Sequence, residues 1–393
     1  MFKNLIHKNY LIFGGSIIAT RALEYVVLFF AAHYLSKDNY GELEYYKKLI
    51  EVGSSIFAFG FPALILSYTK SKESKKYFFL WSVLFVCFFS LIFSPFLIFF
   101  NWGFLIVPFI FYAIFFNGGI TPAYLLVLKG SNSASLYKII ISFLFYGTLF
   151  VSIYYLDINS KAYVIATYIL SPIAIFYIMY EFFKQKLVRI KAKKYLGLFK
   201  KLLLSSSTLV VSNFANLMFL YTDIFVIQII SKNSKPEIAD FSFALNIATM
   251  LLLIPITLVQ VDVEKLKKIK SHFKILNKKI VYLTIPSSFL LIGIYYLMIT
   301  TFFDKFLNTY YLFLILIIAK LFHSFSTLFG TYLLILKKYK INLYINIISL
   351  FTNIILCYVG YINFGLNGLA FASSITLGIR YFVLYYFKSK YSK

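Results

Sequence analysis

Six titratable side chains stand out well inside long apolar runs, where water cannot solvate them. Arg21 and Glu24 stand three residues apart near the middle of the run 11–35, which places them on one face of a helix. Asp223 lies in 202–230, Lys320 and His323 lie one turn apart in 311–336, and Arg380 lies in 367–387. A charge at the centre of a bilayer costs about 2.5–3.5 kcal/mol to insert, so each is expected to face protein or a watery cavity. Arg21, Lys320 and Arg380 read as a set that binds an anionic group. Glu24, Asp223 and His323 read as coupling groups, for a proton or Na+, or as members of ion pairs. A plainer reading stands beside each one. Arg21 and Glu24 neutralise each other in packing, Asp223 braces two helices, and Arg380 snorkels to the nearer interface. The five full charges sum to +1, a slightly cationic interior suited to anionic amphiphiles.

The elements that position these residues are twelve apolar runs: 11–35, 42–69, 77–99, 103–128, 139–156, 162–183, 202–230, 237–260, 280–300, 311–336, 341–360 and 367–387. About 20 apolar residues cross a bilayer as a helix, because hydrocarbon offers backbone N–H and C=O groups no other partner. The basic residues are sorted between the runs. Twenty-nine of the 39 Lys and Arg sit in alternate gaps, and the gaps on the other side hold only Lys37, Lys161, Lys232, Lys235 and Lys305. Positive loops stay in the cytoplasm, so both termini are expected inside a bacterial inner membrane. The fold class expected is all-α and polytopic.

Composition agrees. The 393 residues are 61% hydrophobic, with mean hydropathy +0.82, against about 45–50% apolar in soluble domains. The net charge of +25 sits in membrane-flanking gaps, so nucleic acid is not the expected partner; anionic membrane lipid is. The first run is too long for a cleavable signal core and lacks a small-residue cleavage site. Cys87 and Cys357 lie within spans and read as small apolar filler. No G-x-x-x-x-G-K-[ST] loop or H-E-x-x-H occurs, and four histidines are scattered, so nucleotide hydrolysis and metal chemistry are not expected. No enzymatic step and no cofactor are expected, since the largest outward gaps span only about ten residues.

The segment 184–201 carries eight basic residues and falls midway, with six runs before it and six after. It divides the chain into 1–195 and 196–393, two six-helix bundles joined by a basic cytoplasmic loop. In 261–279, Leu266, Ile269, Phe273 and Leu276 recur every three or four residues between lysines, as in a basic helix lying on the inner leaflet. The halves echo one another. Leu35-Ser36-Lys37-Asp38 ends the first run and Ile230-Ser231-Lys232-Asn233 the seventh, while Tyr163–Thr167 faces Leu369–Ser373. Six spans return the chain to the same side, so the repeats are expected to be parallel.

Bacterial oligosaccharide-lipid flippases often read L-S-x-x-x-Y-G between their first two spans, and Leu35-Ser36-Lys37-Asp38-Asn39-Tyr40-Gly41 resembles this pattern. Phe57-Ala58-Phe59-Gly60 resembles the close of their second helix, and Tyr221-Thr222-Asp223-Ile224 their Asp-bearing seventh. Pro255 matches their I-P-x-x-L. The segment from Phe364 to Ala372 resembles the G-x-x-G-x-A-x-A that opens their last helix. Ile238-Ala239 departs from the V-G usual in the second half. The resemblance covers the whole chain and implies the multidrug/oligosaccharidyl-lipid/polysaccharide exporter superfamily, with about 12 transmembrane helices in two bundles around a central cavity. It implies alternating access and a polyprenyl-pyrophosphate-linked oligosaccharide as substrate, for O-antigen, capsule or a related glycan. A polysaccharide polymerase and a chain-length regulator are the implied partners. A cation-coupled multidrug exporter and a peptidoglycan-precursor flippase are the alternatives on this scaffold.

Overall fold

A computed structural model describes residues 8–67, 71–116, 118–184, 189–269, 272–336 and 338–392. Lys3, Lys70, Lys186, Lys270, Lys337 and Lys393, counted above in the basic gaps, lie outside the described residues. Every regular element described is helical. In order they are α1 (Lys8–Tyr34), α2 (Lys37–Phe57), α3 (Phe61–Ser67), α4 (Lys72–Phe99), α5 (Ile106–Ile114), α6 (Ile120–Leu128) and α7 (Ser131–Tyr154). There follow α8 (Ala162–Lys184), α9 (Arg189–Ile230), α10 (Ser234–Thr249), α11 (Leu253–Lys268), α12 (His272–Thr301), α13 (Tyr310–Ile335) and α14 (Tyr339–Ser392). Eight stretches are long and apolar enough to cross a membrane. The last of them bends at Gly365 (φ 58°, ψ −142°) and is two helices, 339–364 and 366–392. The protein is an all-α, multi-pass membrane protein.

Two runs read as continuous spans are broken. The run 42–69 splits where Phe59 and Gly60 take positive φ (47° and 67°), and 103–128 splits between α5 and α6, with Gly118 at φ 86°. Hydropathy does not register such breaks, because most residues around them are apolar. Prolines are the better marker. Pro62, Pro108, Pro122, Pro236 and Pro255 all sit in first helical turns, where the missing N–H has no intrahelical acceptor. Pro95, Pro172 and Pro286 lie inside long helices.

The chain forms two compact units, Met1–Ala31 with Tyr46–Phe214, and Ala32–Tyr45 with Ala215–Lys393. The boundary between Phe214 and Ala215 falls inside α9. At 42 residues this helix is about 63 Å long, twice the roughly 30 Å of a bilayer core, so part of it leaves the membrane. Residues 189–201, expected as loop, are its first turns. Phe199 explains the order, since its buried ring packs on Phe61 and Phe78 at 5.4 and 5.3 Å.

The helix expected to lie on the leaflet at 261–279 is not one. α11 and α12 share it, and Leu266, Phe273 and Leu276 are buried with Leu328, Phe329 and Leu333. Only Ile269 of that pattern is exposed. The 3.6-residue period was real; the surface it faces is protein. Aromatic side chains fill much of both cores, as in the stacks of Phe79 on Tyr124 (4.1 Å) in the first unit and Tyr295 on Phe313 (3.8 Å) in the second. Dispersion between such rings holds helices together in lipid, where burial gives no hydrophobic gain.

Candidate functional site

In the first unit, α1 presents Arg21 and Glu24 on one face. Arg21 Nη1 lies 2.5 Å from Glu24 Oε2, and Lys47 Nζ of α2 lies 2.9 Å from Glu24 Oε1. One carboxylate thus bridges two cations. Lys47 is buried, at 3% exposure, whereas the Arg21 side chain is half exposed. Lys138, two turns into α7, is close enough for its charge to interact with that of Arg21. Arg21 and Lys47 both pair with Glu24, and Lys138 adds a further cation near Arg21. The sequence pairing of Arg21 with Glu24 holds, but Lys47 and Lys138 were missed. The signal for the former was present: Glu44, Lys47, Lys48 and Glu51 recur at i, i+3, i+4 and i+7, one face of a helix. The apolar residues of 52–69 masked it.

In the second unit, Asp223 of α9 is buried, and its Oδ1 accepts from the Ser373 hydroxyl at 2.6 Å and the Cys357 thiol at 3.1 Å, both on α14. Asn353 donates to the Phe219 carbonyl at 3.2 Å. Cys357 is therefore a hydrogen-bonding member of a polar cluster, and the reading of it as apolar filler is corrected. Cys87 is exposed on α4. Asp223, Asn353, Ser373 and Lys320 line one small cavity of about 10 Å³, the scale of a single water.

Lys320, His323 and Arg380 also belong together. His323 feels the charges of both Lys320 and Arg380, while its own Nδ1 is buried with no hydrogen-bond partner among the described residues. Arg380 does not reach for the interface. Its Nη2 donates to Asn216 at 3.0 Å and Asn346 at 2.9 Å, and its guanidinium lies 5.1 Å from the Phe219 ring centre. Nε and Nη1 are buried with no hydrogen-bond partner among the described residues. Two cations and a histidine, with one carboxylate behind them, can hold an anion. Of the six residues singled out, Arg21 and Glu24 thus fall in the first unit and the other four cluster in the second.

The L-S-x-x-x-Y-G turn has its own geometry, all of it within the second unit. Lys37 pairs with Asp240 at 2.6 Å and Lys235 with Glu42 at 2.8 Å. Lys305 Nζ donates to the carbonyls of Leu35 and His33 at the end of α1, at 2.6 and 3.2 Å. Tyr40 is buried edge-on to Phe306. The α-carbon of Gly41 abuts the Lys235 backbone carbonyl, so close that a Cβ would overlap it. Ala239, where a glycine was expected, is tolerated because Gly41 across from it supplies the space.

This architecture is similar to that of solved transporters. An inward-facing multidrug resistance MATE family transporter of the MOP superfamily matches with TM-score 0.64 at 13% identity, over 95% of this chain and 94% of its own. The lipid II flippase MurJ in an inward closed conformation gives TM-score 0.65 at 19% identity, over 96% and 87%. A MOP superfamily transporter from Pyrococcus furiosus gives 0.58 at 11%, over 98% and 95%. The sequence itself is more specific: residues 6–263 match the polysaccharide biosynthesis protein family, and the chain belongs to it. No curated protein matches the chain.

Proposed function

We propose that this protein is a flippase that carries polyprenyl-pyrophosphate-linked oligosaccharide repeat units across a bacterial inner membrane by alternating access. Family membership and the cations within the apolar runs support this reading, and the cations are the observation that carries it. Arg21, Lys320 and Arg380 are assigned to the pyrophosphate, and Glu24, Asp223 and His323 to charge balance or coupling by a proton or Na+. Pairing with pyrophosphate offsets the cost of holding those cations in hydrocarbon. The glycan is an O-antigen, capsule or related repeat, handed on to a polysaccharide polymerase and chain-length regulator, and no chemical step is assigned to the protein. A multidrug exporter of cationic drugs fits a cavity with excess carboxylate, whereas Asp223 stands with two cations, Lys320 and Arg380, and with His323.

The test uses full-length protein in vesicles and a polyprenyl-pyrophosphate oligosaccharide scored for access to an external glycosidase. Wild type flips it, and Arg21→Ala slows flipping at least tenfold at unchanged folded yield. Arg21→Lys recovers only part, because a point charge lacks the bidentate fork. Flipping at the wild-type rate by Arg21→Ala removes that residue from the site. Failure of wild type to move any such lipid, together with export of cationic dyes, overturns the reading.

A further inference from the structure

The first turns of α9 carry a charged face that the mechanism above does not use. No acidic residue stands between Glu181 and Asp223. Lys193, Lys194, Lys200 and Lys201 are all exposed, and their spacing along two helical turns puts them on one face. Gly197 lies in their midst, with nothing within 4 Å of where a Cβ would stand. A ligand can therefore come close to the helix surface between the lysines.

The opposite face of the helix sets the depth of this patch. Phe199 is buried against Phe61 and Phe78. Tyr195 stacks on Tyr77 at 5.0 Å, and its hydroxyl donates to Glu73 Oε2 at 3.4 Å. Glu73, Tyr77 and Phe78 belong to the first turns of Glu73–Phe99, a stretch long and apolar enough to cross the membrane. The lysines are thus held level with the point where α4 enters the bilayer, at headgroup depth. Val210–Ile230 is long enough to cross by itself, so residues 193–201 are not needed in the hydrocarbon. A leaflet rich in phosphodiesters matches this face in sign and in depth, whereas an acidic protein matches it in sign alone. Each lysine beside an anionic leaflet strengthens binding about fivefold.

We propose that this face of α9 is a docking surface for the headgroups of anionic phospholipids in the inner leaflet. It is independent of the flippase reading, since none of the residues assigned to substrate or coupling belongs to it. The same unbroken helix carries Asp223, so bound lipid tethers the inner end of the element on which that carboxylate is built.

The test uses the full-length protein in mixed nanodiscs of phosphatidylcholine and phosphatidylglycerol, each lipid in turn carrying a headgroup diazirine. Phosphatidylglycerol is expected to label residues 193–204 at least about fivefold more than phosphatidylcholine does. Salt at about 1 M lowers that preference, a measurement that needs no variant. Lys193→Gln, Lys194→Gln, Lys200→Gln and Lys201→Gln together abolish it, while Lys161→Gln with Lys232→Gln, also at exposed positions, leaves it intact. Equal labelling by the two lipids, or a preference that survives the fourfold replacement, overturns the proposal. So does soluble polyglutamate that binds wild type in phosphatidylcholine nanodiscs while phosphatidylglycerol shows no preference, which assigns the face to an acidic protein. Labelling does not require transport, so the outcome stands whether or not the protein flips a lipid.

Discussion

Glu24 and Asp223 are both buried carboxylates, and their surroundings give them different tasks. Glu24 is shared by Arg21 and Lys47. Removing it by Glu24→Gln takes away the carboxylate that compensates both cations, and a loss of about 3–5 kcal/mol is expected. Thermal melting in detergent reads this as a sharp fall in stability, with part regained in Glu24→Gln with Lys47→Met. A double variant no better than the single one refutes the bridging role. Asp223 has only neutral donors on Oδ1, the Ser373 hydroxyl and the Cys357 thiol. Asp223→Asn keeps the shape and an acceptor oxygen while fixing the side chain neutral. We expect folded yield near wild type, substrate binding retained and flipping lowered at least tenfold. Loss of yield with normal flipping per folded molecule would make Asp223 a brace. At this scale spacing along the chain revealed near neighbours and missed distant ones. Arg21 with Glu24 was legible because three residues is one helical step. The contacts of Asp223 with Cys357 and Ser373 join residues 134 and 150 apart, a pairing no local spacing encodes.

Among the helices, close approach is set by backbone and not by side-chain chemistry. Gly41 lies against the Lys235 carbonyl, and Gly368 lies against the Gly360 carbonyl where the arms of α14 cross. Gly41→Ala has only immovable backbone to push on, and a cost of about 1–3 kcal/mol is expected. Gly147→Ala, in α7 with nothing within 4 Å of its Cβ, is the control, and up to about 1 kcal/mol of gain is expected from helix propensity. Equal melting temperatures for the two variants would show that the α2–α10 contact is looser than described. The G-x-x-G-x-A-x-A resemblance is now physical: Gly365 makes the bend, Gly368 the crossing, and Ala370 and Ala372 are buried beyond it. The break between α2 and α3 was marked by the family resemblance, which closes the second helix at Phe57–Gly60, whereas hydropathy alone shows neither it nor the break between α5 and α6. Phe59 is a non-glycine residue at φ 47°, a conformation few sequences advertise.

For the whole molecule, the alternation of basic gaps predicts an orientation that labelling can check. Lys161→Cys and Lys232→Cys, both at exposed positions, should react with an impermeant maleimide added to intact cells. Lys193→Cys and Lys340→Cys, also exposed, should react only after the membrane is opened. Lys37 and Lys305 are poor reporters, because each holds a partner that cysteine would release. Outside labelling at Lys193→Cys inverts the proposed topology. Hydropathy and charge made the multi-pass, all-α class legible, since lipid restricts a spanning chain to few solutions.

The bond from Lys305 to the Leu35 carbonyl joins residues 270 positions apart. Ribosomes add about 5–20 residues per second, so roughly 15–50 s pass between the making of one partner and the arrival of the other. Throughout that interval the end of α1 exists without the lysine that completes it. The segment Ala32–Tyr45, which groups with the later-made unit, is therefore synthesised early and docked late, and the order of assembly of this protein runs against the order of its translation.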